Sequence, residues 1–235
     1  MTEWSGTIDE SEDDAADRGK LFGIFNNDNS FYLVATLNAS ARTKAGWRFQ
    51  NVEVPQGATI NSAYFKPYFQ TAEGDPIITV DITTRIYGVD EDDVDVWEDG
   101  TNNPKDATLT TEYVDWNTKD KVGLYQQAEI DVTDIVQEII DRSGWTSGNA
   151  LAFYTEHCTG AIGTRDLRFI CYDGAWDMFY PGLVIDYTAD EGTNLQLNIS
   201  DSWKDVEAMK INIGDNWKNV SSAKINIGDV WKNVF

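Results

Sequence analysis

The feature that most constrains this chain is the spacing of its apolar residues. Over the first 190 residues they seldom recur at helical intervals. Short runs rich in β-branched and aromatic residues follow one another instead: FYLVATL, TINSAYFKPYF, IITVDITTRIYG, AEIDVTDIV, ALAFYTE, LRFICYD and GLVIDYT. Gly, Asn, Asp and Pro separate them. Runs of this length and spacing specify the strands of an all-β sandwich. One segment departs from the pattern. In DVTDIVQEIIDRSGW, Asp131 or Thr133 can cap a helix near Asp134–Asp141, and Gly144 can end it. Ile135, Val136, Ile139 and Ile140 then form one apolar stripe, suited to plugging an end of the sandwich.

The C-terminus repeats itself. LNISDSWKDV begins at Leu197, INIGDNWKNV at Ile211 and INIGDVWKNV at Ile225. Trp203, Trp217 and Trp231 fall 14 residues apart, as do Ile199, Ile213 and Ile227. Each copy reads as a small β-hairpin around Gly-Asp. Two registers are compatible with the sequence. A two-residue turn pairs Ile213 with Asn216 and puts Trp217 on the opposite face. A three-residue loop with a bulge pairs Ile213 with Trp217 and gathers the large apolar side chains on one face, which favours this second register. So short an array buries little by itself, so the six repeated Trp and Ile residues are candidate partner-binding residues.

Charge divides the chain at the same place. The net charge is −22, from 40 acidic and 18 basic residues. From Leu197 onward five lysines balance five acids, so residues 1–196 carry the whole excess. The expected division is a sandwich over 1–190 and hairpin repeats over 195–235, joined near Thr188–Asn194. An acidic body repels phosphate backbones, which argues against nucleic acid as a partner. No apolar stretch reaches transmembrane length, and MTEWSGTIDESEDD lacks the apolar core of a secretory signal.

Three stretches resemble a jelly-roll module of the carbohydrate-binding-module type, found in bacterial secreted and phage proteins. They are SGTIDESEDDAADRG (5–19), WRFQNVEVPQGATINSAYFKPYF (47–69), and DVTDIVQEIIDRSGWTSGNALAFYTE followed by YDGAW and PGLVIDYT. The residues agree with this likeness: Pro55 and Gly57 suit a turn that launches the strand at Ile60. Trp145 would seal the sandwich end, and the turn after it would start the inner strand Ala150–Tyr154. The chain departs from the module between Thr155 and Phe169, where the EHCTGAIGTRDLR loop is longer and more polar. The INIGDxWKxV repeats resemble those at the ends of tailed-phage structural proteins. Together the resemblances imply a non-enzymatic virion structural protein: a capsid decoration, head fibre or tail appendage. It would be assembled in the host cytoplasm, exposed after lysis, and partnered by other virion proteins and further copies of itself. They also imply an alternative, a glycan-binding adhesin.

Residue chemistry narrows the options further. His157 is the only histidine, which excludes multi-histidine metal sites. On a strand its neighbour Cys158 faces the other way, so the two cannot form a nucleophile pair. Cys158 and Cys171 could close a 14-residue loop by a disulfide or remain two thiols. The acidic run GVDEDDVDVWEDG offers Asp90, Asp92, Asp93 and Asp95 as oxygen ligands for Ca²⁺, though without the EF-hand order; a solvated, self-repelling loop is the other reading. Trp97, Trp116 and Trp176 lie in polar stretches and are the candidate glycan platforms.

Overall fold

The computed structural model describes residues 2–17, 24–25, 31–33, 44–71, 82–98, 101–117, 127–160, 167–174 and 179–189, and six short strands beyond them. The chain separates into two compact units, Met1–Ala189 and Asp190–Phe235.

The first unit is an all-β sandwich of antiparallel sheets with one helix among the described residues. Its strands are β1 (Thr2–Thr7), β2 (Asp14–Asp17), β3 (Ile24–Phe25), β4 (Phe31–Leu33), β5 (Lys44–Phe49), β6 (Thr59–Lys66), β7 (Phe69–Thr71), β8 (Ile82–Val89), β9 (Leu109–Asn117), β10 (Ile130–Asp131), β11 (Leu151–Gly160), β12 (Leu167–Phe169) and β13 (Gly182–Thr188). One sheet has the order β1-β13-β6-β10 and the other β3-β2-β5-β11-β8-β9, with β4-β12-β7 as a small third sheet. β11 runs on to Gly160, so the first part of the expected long loop is strand. Pairing with β8 continues through a register shift between His157 and Thr159, which accommodates the polar residues there without ending the strand.

Alternation builds the core. Trp47 and Phe49 of β5, Phe65 of β6 and Phe153 of β11 are fully buried. Their rings meet at centroid distances of 5.4 Å (Phe65–Phe153), 5.7 Å (Trp47–Phe65) and 6.0 Å (Phe49–Phe153), in the tilted and edge arrangements aromatic pairs prefer. The indole Nε1 of Trp47, the polar handle of this ring group, donates to Thr155 Oγ1 at 3.2 Å.

The helix α1 (Thr133–Ile140) closes one end. Ile135, Val136, Ile139 and Ile140 are all buried. Ile135 and Ile139 approach Gly88 so closely that a Cβ there would lie 2.8 and 2.7 Å from their methyl carbons. Val132, not Asp131 or Thr133, occupies the N-cap position; Asp131 Oδ1 still accepts from Thr133 N at 3.0 Å. Thr133 Oγ1 is turned to Ala63 N of β6 at 2.9 Å, which ties the helix start to the sheet. At the other end the Pro55–Ala58 turn, closed by Ala58 N to Pro55 O at 3.2 Å, requires φ +69° at Gly57. Gly57 N then donates to Ile140 O at 3.1 Å, satisfying a helix-end carbonyl. Trp145 is buried and donates Nε1 to Val54 O at 2.9 Å.

The second unit contains three two-stranded hairpins: β14–β15 (Gln196–Ile199, Ser202–Asp205), β16–β17 (Lys210–Ile213, Asn216–Asn219) and β18–β19 (Lys224–Ile227, Val230–Asn233). The register corrects the expectation. Ile213 pairs with Asn216 and Asn212 with Trp217, and the other two copies follow the same scheme. Ile213 and Trp217 therefore do not share a face by alternation. Two residues separate the strands, with glycine first in two of the three copies, which is the favoured tight hairpin connection. The two-residue spacing prevails over apolar grouping.

Candidate binding face

The outward face of the six-stranded sheet is divided in two. Over one half lies the segment after β8. Trp97 sits above Gly46, where an added Cβ would be 2.5 Å from the indole and 2.8 Å from Pro104. Val89, Val94, Ala15 and Ala152 complete this small outer core. Trp97 is 1% exposed. It cannot stack on a sugar, and its candidacy as a glycan platform is corrected: a glycine in β5 leaves a hollow that the indole fills. Trp116 is corrected likewise. It is 6% exposed and stacks on Phe69 at 5.2 Å and 19°. Its polar neighbours in sequence belong to the opposite face of β9. It only borders an open cleft with Gln127, Ala128 and Glu129. Trp176 lies outside the described residues.

Tyrosines cross the other half of the face. The pairing aligns Tyr154 of β11 with Tyr87 of β8, and Tyr87 with Tyr113 of β9. Ring centroids are 6.3 Å apart in the first pair and 5.5 Å in the second. Tyr154 is buried at the edge of the covered half, whereas Tyr113 is 48% exposed. Two residues along each strand, a charged row runs beside the tyrosines: Lys44, Glu156, Arg85 and Asp115 are successive cross-strand neighbours. Arg85 makes a bidentate pair with Asp115 at 2.6 and 2.7 Å and lies 4.0 Å over the Tyr113 ring. Those hydrogen bonds hold the Asp115 carboxyl below its ordinary range. Glu156 accepts from the Tyr154 hydroxyl at 3.1 Å, and Lys44 lies 5.6 Å over that ring. An aromatic surface beside fixed donors and acceptors has the makings of a site for a polyhydroxylated ligand. Sequence reading missed these tyrosines. The signal available was R-I-Y and Y-V-D, each placing a charge and a tyrosine on one face by alternation, but not which strands are neighbours.

The acidic run is held in place by ion pairs and hydrogen bonds. Arg142 binds Asp90 through Nη1 and Asp92 through Nε, the latter at 2.7 Å. Asp93 Oδ1 accepts from Ala150 N at 2.7 Å, which fixes the start of β11, and Asp95 is exposed. Among the described residues no three His, Cys, Asp or Glu side chains are grouped to hold a metal ion. Cys171 is buried, and the side chains of His157 and Cys158 lie outside the described residues, as does the question of their pairing. Side chains of Trp203, Trp217, Trp231, Ile199, Ile213 and Ile227 also lie outside them. Among the described residues no helix is long and apolar enough to cross a membrane. No protein-family model matches the chain, and no curated protein gives a significant match.

Proposed function

We propose that this chain is a non-enzymatic structural protein displayed on a tailed-phage particle, with a jelly-roll body and hairpin repeats that dock to other subunits, further copies of the chain among them. The observation that carries the reading is the repeat unit. Three copies form three hairpins of one register, and among the described residues each pairs only within itself. A lone two-stranded hairpin is marginal in water. With Ile positions on one face and Trp on the other, a single docking surface cannot cover both. Insertion between subunits does, and the balanced charge of the repeats lets acidic bodies be brought together. The test is incorporation. A chain lacking residues 190–235 is expected to fold and to be absent from purified particles, as read by immuno-electron microscopy. Normal incorporation refutes the docking role.

A second reading, glycan recognition by the same body, is favoured by the Tyr87–Tyr113 face. A glycan array reads it. Binding retained in Tyr113→Ala would exclude this face as the site.

A further inference from the structure

Adjacent buried carboxylates near the N-terminus differ in one respect. Asp13 and Asp14 are both fully buried. Asp13 is neutralised: Arg48 Nη1 donates to it at 2.5 Å and Gln50 Nε2 at 2.7 Å. Asp14 is not. Its Oδ2 accepts from Tyr172 N at 2.6 Å, and its Oδ1 has no hydrogen-bond partner. Among the described residues the charges that act on it are those of Asp173 and Asp13, both of its own sign. Burial, first, and these acids, second, push its carboxyl well above the ordinary range against the single Tyr172 hydrogen bond.

The local geometry is a junction of two 3₁₀ turns, Ser11–Asp13 and Tyr172–Gly174, brought face to face from opposite ends of the first unit. Ser11 Oγ donates to Asp173 Oδ2 at 2.8 Å across the junction. An orphaned buried carboxylate oxygen, with the half-buried Asp173 carboxylate and the Ser11 hydroxyl at the same junction, is a set of hard oxygen donors, and among the described residues no cation acts on Asp14. We propose that this junction binds a divalent cation of the calcium class, with Asp14 Oδ1 and the Asp173 carboxylate as its anionic ligands. The donors are all oxygen, which disfavours zinc and copper. They come from segments about 160 residues apart and have no octahedral arrangement imposed by one loop, which suits the adaptable coordination of Ca²⁺ better than that of Mg²⁺. Two carboxylates balance the 2+ charge, and the Ser11 hydroxyl, backbone carbonyls and water complete the shell. So few charged ligands put the affinity in the weak range of extracellular modules, roughly 10⁻⁴–10⁻³ M. Bound there, the ion fastens the N-terminal segment to the approach to β13. The site is distinct from the acidic run, where Asp90 and Asp92 already have Arg142.

The experiment is thermal unfolding of the full chain at neutral pH, first in chelator and then over a titration of CaCl₂ to 10 mM. The expected result is a rise in Tm of several degrees that grows with the logarithm of calcium concentration. Asp14→Asn and Asp173→Asn each abolish the rise, and Asp95→Asn in the acidic run keeps it. Should Asp14→Asn fail to fold, Asp173→Asn on the half-buried side carries the test alone. A wild-type Tm indifferent to calcium, or an equal rise in the Asp173→Asn variant, overturns the proposal. In the first case, stabilisation of the chelated protein by mild acidification would assign Asp14 to a proton.

Discussion

Replacing Gly46 by alanine tests whether Trp97 is a structural lid rather than a ligand platform. The added Cβ would fall 2.5 and 2.6 Å from indole carbons and 2.8 Å from Pro104 Cγ, whereas carbon atoms rest about 3.5–4.0 Å apart. The overlap is therefore roughly 1 Å. The indole is 1% exposed and enclosed by Val89, Val94, Ala15 and Ala152, so it cannot simply swing away. Overpacking of this kind costs about 1–3 kcal/mol. Trp97→Ala, which empties the same space, should cost about 3–5 kcal/mol. For a body of this size that corresponds to a Tm lower by on the order of 10 °C. The decisive measurement is the double mutant, followed by urea unfolding of all four proteins. With the indole gone only the Pro104 Cγ contact at 2.8 Å remains, so Gly46→Ala in the Trp97→Ala background should cost less than it does in the wild type. A coupling of about 0.5–3 kcal/mol is expected. Additive losses would refute the packing argument, and so would a stable Trp97→Ala protein that had lost only glycan binding.

Further expectations concern charge and backbone. Glu138 accepts from Thr111 N and Glu112 N, both at 2.8 Å. Burial pushes its carboxyl up, but those bonds, one from Thr111 Oγ1 and the Arg142 charge outweigh burial and hold it below the ordinary range. Its contribution is present above the unfolded value of about 4.3 and is lost as pH falls through the lower folded value. Glu138→Gln should therefore cost about 1 kcal/mol at pH 7, with the gap to wild type closing below about pH 4 in pH-dependent melts. Arg142→Met should cost about 1 kcal/mol, and chelation should leave the Tm of an Asp14→Asn protein unchanged, because Asp90 and Asp92 of the acidic run are already paired with Arg142. Gly148 has φ +99° and open space around its Cα, so Gly148→Ala should destabilise through backbone strain alone, by about 1 kcal/mol in urea unfolding. An unchanged midpoint would show that the turn relaxes.

Local pattern by itself determined the strand character of the body, the apolar stripe of α1 and the Pro55–Gly57 turn. Each rests on a rule spanning a few residues: alternation of two, recurrence of 3.6, or a φ that only glycine adopts readily. The repeat also announced hairpins, yet left their register open by one residue, because alternation fits either slip until the connecting loop decides. What tertiary structure alone decided is where each side chain ends. Trp97 and Trp116 stand among polar residues in sequence and are nonetheless buried, one over a glycine of β5 and one against Phe69. Tyr87 and Tyr113 became a surface only because β8 and β9 are neighbours. Asp13 and Asp14 are adjacent in the chain, yet Arg48 reaches only the first and Asp173 lies beside the second. Burial and electrostatic environment depend on distance in space, and residues far apart in sequence supply most of what lies within that distance.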